Sequence, residues 1–172
     1  MQHASADQHA GQAGGQPGHA GHQAGKGRHY LQLLLMALLS YVAMYWLMYA
    51  MVDRFANVFH NLNQAYMAGL MTAPMVLIEM LVMRGMYTDR RLNSWIVAGS
   101  LAALIGFFLL IRQQAGINDQ QFLRSMIPHH AGAILMCEQA EVEDPQIQDL
   151  CEGIIAGQQA EIDLMKEMLN AE

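Results

Sequence analysis

"YLQLLLMALLSYVAMYWLMYAMV", Tyr30–Val52, runs for twenty-three residues without a charge. A helix rises about 1.5 Å per residue, so crossing the hydrocarbon core takes roughly twenty apolar residues, with about seventeen the lower limit. This stretch reads as a membrane span. Two more follow: "AYMAGLMTAPMVLIEMLVM", Ala65–Met83, interrupted by Pro74 and Glu79, and "WIVAGSLAALIGFFLLI", Trp95–Ile111, bounded by Trp95 and Arg112. The composition agrees. Of 172 residues 53% are hydrophobic and only 14% charged, too apolar for an ordinary soluble domain of this length.

The flanks read differently. Residues 1–29 are almost entirely Gly, Ala, Gln and His, a composition unable to bury enough apolar surface to offset ordering, so a disordered tail is predicted. It lacks an apolar h-region and does not read as a signal peptide. Its five histidines, His3, His9, His19, His22 and His29, are either loose metal collectors or plain polar residues. Lys26, Arg28, Arg84, Arg90 and Arg91 share one side of a three-span chain, against Arg54 and Arg112 on the other. The positive-inside rule then predicts a cytoplasmic N-terminus and residues after 112 outside, which in a bacterium means the inner membrane and the periplasm. The net charge of −6 lies mostly in that last part and argues against nucleic acid as a partner.

Residues 113–172 read as an antiparallel helical hairpin. Asp119 is the expected N-cap of a helix through about Ala140. Asp144 followed by Pro145 is a strong start signal for the next helix. Ile147, Leu150, Ile154, Ile155, Ile162, Met165 and Leu169 recur at helical spacing along it. Pro128 removes a backbone hydrogen bond within the first helix. Two short helices make a poor core alone, so the hairpin is expected to pair with a second copy or dock on the membrane part. The chain is thus predicted to be all-α, with a tail over 1–29, three transmembrane helices over 30–112 and the hairpin over 113–172.

The hairpin carries the chemistry. In "RSMIPHHAGAILMC", Arg124–Cys137, Met126, His129 or His130, and Met136 or Cys137 recur at three- and four-residue steps. Imidazole suits several transition metals, and thioether or thiolate selects soft ions such as Cu(I). Core methionines and solvent-facing histidines are the alternative. Cys137 and Cys151 lie seven residues either side of Asp144 and can face each other, as a disulfide outside the cytoplasm, as thiolate ligands, or as two small buried residues. The same pairing brings Met126, His129 and His130 toward Gln158, Glu161 and Met165.

These motifs, "DQQFLRSMIPHHAGAILMCEQA" and "DPQIQDLCEGIIAGQQAEIDLMKEML", resemble the bacterial family known as domain of unknown function 305, and the membrane part resembles its membrane-anchored members. The resemblance implies an all-helical, ferritin-like half-bundle, associated in some members with copper binding and tolerance. It places Met126, His129, His130, Met136, Gln158, Glu161 and Met165 at the motif positions. Many members carry two hairpins where this chain has one, which favours a homodimer. The two cysteines stand where small residues are common in the family.

Soft donors recur in the membrane segments. Met44, Met48 and Met51 share one face of the first span, and Met67, Met71 and Met75 one face of the second. Such spacing suits a Cu(I) path, and it equally suits lipid contact or helix packing. Glu79 follows Met75 by one turn. A carboxylate in hydrocarbon costs on the order of 3 kcal/mol and commonly faces a bundle interior or a pathway. His60, in the first loop, is a candidate to complete a site with Met126 or His129. The expected function is copper capture or tolerance in the periplasm, with Cu(I) favoured over Cu(II). The alternatives are a subunit of an oligomeric copper-transport pore and a structural membrane protein without metal. No nucleophile–base constellation or phosphate loop points to an enzyme.

Overall fold

The computed structural model describes residues 20–171, with side chains from Gly27 onward. They form five helices and no strand: α1 (Ala20–Leu47), α2 (Leu62–Val82), α3 (Arg90–Gln113), α4 (Asp119–Gln139) and α5 (Pro145–Asn170). Two 3-10 turns, Met48–Met51 and Phe55–Asn57, interrupt the α1–α2 connection. Of the tail predicted to be disordered over 1–29, residues 1–19, with His3, His9 and His19, lie outside the described residues, whereas residues 20–29 are helical. α1 begins well before Tyr30, so the last tail residues extend the first apolar helix.

α1, α2 and α3 are each long and apolar enough to cross a membrane. α2 packs against both α1 and α3. Small residues permit this closeness. A Cβ on Gly69 would lie 2.5 Å from the Phe107 ring, so the two helices meet where no larger side chain fits. At the far end Leu33, Met80 and Tyr87 form a small core with Tyr30, Val76 and Ile96. There Tyr30 donates to Asn93 Oδ1 at 2.7 Å and Asn93 Nδ2 donates to the Tyr87 carbonyl at 2.8 Å. Asp89 caps α3 by accepting from the Arg91 and Leu92 amides. The outward faces stay apolar. Leu39, Leu81 and Val82 are each about 70% exposed, and α3 buries no residue. A surface of this kind matches hydrocarbon better than water.

The chain leaves α3 through Gln114 and Gly116, both at positive φ. Gly116 takes this left-handed conformation without a Cβ penalty. The N-cap of α4 is Asn118, whose Oδ1 accepts from Gln121 N at 2.9 Å. The predicted cap Asp119 is instead the first helical residue, where its carboxylate favours the positive end of the helix dipole. α5 starts as its sequence dictates, with Asp144 accepting from Gln146 N and Pro145 in the first turn.

The hairpin core consists of Ile127, Ala131 and Ile134 from α4 and Ile162 and Met165 from α5. Val52 and Phe59, from the α1–α2 connection, pack into it. Lys166 Nζ donates to the buried Asn57 Oδ1 at 2.5 Å. The hairpin therefore rests on the connection between the first two apolar helices and closes its core with side chains from there. That connection and the α3–α4 linker share one end of the three-helix unit.

Candidate functional site

The site grows from a helix with a proline inside it, Pro128 of α4. Pro128 has no N–H to offer, so the Arg124 carbonyl loses its helical partner. Asn61 Nδ2 lies 3.4 Å from that carbonyl and donates to the Phe59 carbonyl at 3.0 Å. The Oδ1 of the same side chain caps α2, accepting from Gln64 N at 2.8 Å. Beside it the Leu62 amide donates to Gln121 Oε1 at 3.0 Å, and Asn63 Nδ2 lies 3.4 Å from Ser125 Oγ. These bonds hold the start of α2 against the start of α4.

Between the two elements opens a groove of about 540 Å³. Met48 and Met51 enter it from the turn after α1, Met67 from α2, and Met126, His129 and Met136 from α4. The α4 residues share a face because steps of three and four return to the same side of a helix. Gly132 lies on that face, where an added Cβ would sit 3.4 Å from the Met51 carbonyl. The lining holds five thioethers, one imidazole, and the amides of Asn61, Asn63 and Gln64, with no carboxylate. Among the described residues no three His, Cys, Asp or Glu side chains gather as a metal cluster. What the groove offers is a sulfur-rich donor set without carboxylates, suited to a soft cation.

The seven motif residues do not converge on one spot. Met126, His129 and Met136 line the groove, Met126 also packing against the hairpin core, whereas His130 pairs with Glu161 between α4 and α5, Met165 lies in the core, and Gln158 stands on α5 outside the groove lining. Adjacent helical positions lie ~100° apart, so His129 and His130 cannot share a face. His130 is buried, and its Nε2 pairs with Glu161 Oε2 at 2.7 Å. Its Nδ1 is also buried and has no hydrogen-bond partner among the described residues. Met165 is part of the hairpin core.

The secondary candidates separate in the same way. Met48 and Met67 join the groove, while Met71 and Met75 lie farther along α2 outside it. His60 also lies outside the groove. It stacks on Tyr45, meets Trp46 and Tyr49 edge-on, and its Nδ1 lies 3.1 Å from Tyr45 Oη. Aromatic rings at the end of α1 thus hold it away from Met126 and His129. Glu79 lies at the opposite end of α2, where Tyr87 Oη donates to Oε1 at 3.4 Å. Burial, and secondarily the Glu79 carboxylate, raise the Tyr87 phenol above its ordinary range.

Cys137 and Cys151 are joined as a disulfide, with 5.3 Å between their Cα atoms. The thiolate alternative does not apply to the bridged pair, whose sulfurs carry no ionisable proton. Asn61 and Asn63 are not among the residues singled out from sequence, and Met51 is singled out only as part of a methionine face of the first span. The position of Asn61 just before an apolar helix is a legible N-cap signal. Its second bond, to a carbonyl in another helix, leaves no trace in the sequence.

A family model described as "Domain of unknown function (DUF305)" matches residues 79–169, from the last turns of α2 to the end of α5. The chain is also similar to "Uncharacterized protein L153" of Acanthamoeba polyphaga mimivirus. The two are 33% identical over 141 residues, covering 80% of this chain and 91% of that protein. No solved structure matches.

Proposed function

The chain belongs to the DUF305 family, and we propose that it is a membrane-anchored copper-capture protein whose hairpin works outside the cytoplasm. The observation that carries this reading is the meeting of five methionines with His129 in one groove. Thioethers are neutral, soft donors that favour Cu(I) over Cu(II) and over harder ions. The absence of carboxylates from the lining argues in the same direction. Anchoring is supported by three long apolar helices with outward-facing leucines. An extracytoplasmic hairpin is supported by the Cys137–Cys151 bond, because such bonds persist in oxidising compartments. Together with the Lys and Arg distribution this favours the bacterial inner membrane with the N-terminus in the cytoplasm. The single hairpin favours a homodimer. The role is binding rather than catalysis.

The test is Cu(I) binding by the full chain in detergent, measured by competition with a chromogenic chelator. A Met126→Leu, His129→Ala, Met136→Leu variant should bind at least about tenfold more weakly, the loss of three donors leaving too few to satisfy the ion. An affinity equal to wild type removes the reading.

A transport role is favoured by one feature. Met48 and Met67 belong to the apolar helical unit and to the groove at once, and Met71 and Met75 continue along α2. Vesicles containing the protein would then take up copper, and Met71→Leu would slow the uptake. Flux no greater than in empty vesicles rules transport out and leaves capture.

A further inference from the structure

The buried residues of the hairpin all lie near the three-helix unit. Ile134 is the last buried position on α4 and Ile162 the first on α5, and no residue from 135 to 161 is buried. This distal half contains the last turn of α4, the connection to α5 and the first turns of α5. Its contribution to the hairpin core is the half-buried Ile155, and short helices with so little apolar burial are marginal in water. Its covalent tie is Cys137–Cys151, which joins the end of α4 to α5 across a separation of 14 residues. Both cysteines are partly exposed and so open to thiol exchange. Met136, the residue before Cys137, is the outermost α4 side chain lining the groove.

We propose that the Cys137–Cys151 disulfide is a redox latch on the methionine groove, closed when oxidised and released by a dithiol reductant, so that the hold on Cu(I) follows thiol–disulfide state. This rests on the copper reading and adds its regulation. In the releasing step the dithiol gives up two S–H bonds and becomes a disulfide. The Cys137–Cys151 S–S bond breaks and two cysteine S–H groups form, so atoms and electrons balance. With the tie gone, the distal half has loop entropy against it and little burial to oppose it. Met136 then no longer has a fixed place in the groove.

Free thiols are themselves soft ligands, so the test uses Cys137→Ser/Cys151→Ser, which opens the latch without adding donors. Hydrogen exchange of the full chain in detergent should show residues 135–160 exchanging on the order of tenfold faster or more than in the oxidised wild type. Residues 127–134 and 162–169 should stay protected. Cu(I) affinity, read by chelator competition, should fall several-fold. Unchanged exchange in 135–160 overturns the latch. So does faster exchange with unchanged affinity, an outcome that leaves copper capture intact. Failure of both proteins to bind Cu(I) removes the capture reading and the latch with it. Should the serine variant not fold, wild type reduced with a dithiol and capped by alkylation gives the same comparison.

Discussion

His129 and His130 are neighbours in the chain with ring centroids 6.1 Å apart, yet they serve different surfaces of α4. His129 is exposed in the methionine groove, and His130 is buried against α5 with its Nε2 on Glu161. Their replacements should therefore separate. His129→Ala is expected to weaken Cu(I) binding about tenfold or more with little change in melting temperature. His130→Ala removes a nine-tenths buried, hydrogen-bonded side chain and should cost about 1–3 kcal/mol of hairpin stability. Thermal unfolding and chelator competition on both variants decide it. Equal loss of stability in the two would contradict the division of roles. Glu161→Gln should cost less, under about 1 kcal/mol, because that carboxylate is more than half exposed.

Asn61 is expected to act at two helices. Asn61→Ala loses the α2 cap, worth about 1 kcal/mol, and also the donor near the Arg124 carbonyl. Asn61→Asp keeps the capping oxygen and loses the donor to both the Phe59 and the Arg124 carbonyls. The aspartate variant should retain most of the thermal stability while hydrogen exchange in the α4 segment 121–128 rises. If exchange in 121–128 stays at the wild-type rate in both variants, the bridge to α4 carries no weight.

Gly69 tests the packing of the apolar helices. A methyl group there would overlap the Phe107 ring at 2.5 Å, and overpacking of this kind costs roughly 1–3 kcal/mol. Gly69→Ala should lower the melting temperature in detergent, and adding Phe107→Ala should recover part of the loss. A Gly69→Ala protein as stable as wild type would mean that the ring moves aside freely.

The Tyr87–Glu79 pair predicts a pH effect. Burial first, and then the carboxylate, hold the Tyr87 pKa above the ordinary phenol value near 10. A folded-state pKa raised in this way adds stability that is complete below the unfolded value. That stability is lost as pH climbs through the folded value. Difference absorbance of phenolate against Tyr87→Phe should place Tyr87 above the ordinary value, and Glu79→Gln should bring it down. Titration of Tyr87 at or below that value would contradict the assignment. Cu(I) binding in Glu79→Gln should match wild type, because Glu79 lies outside the groove.

What local chemistry controls was readable in advance. Three uncharged or nearly uncharged runs of sufficient length dictate long apolar helices, and Asp144–Pro145 dictates where α5 begins. The family signature in α4 and α5 was equally legible, and the residue 79–169 match extends it across α3. The error over Asp119 is one of position only, since Asn118 and Asp119 are both competent caps and a single residue of phase separates them.

Periodicity along one helix says which side chains share a face. It is silent on what that face meets. Met126, His129 and Met136 were readable as a stripe, but only the docking of the hairpin on the α1–α2 connection brings Met48, Met51 and Met67 to it. Likewise Pro128 announces an unpaired carbonyl at Arg124, and tertiary contact supplies Asn61 from a helix 63 residues away in the chain. The cysteines were open to three readings, and the closeness of α4 to α5 chose the bond. Helix ends and apolar runs depend on neighbours within a few residues, so the amino-acid sequence determined them by itself. The groove depends on contacts between distant segments, whose geometry exists only once the helices have packed.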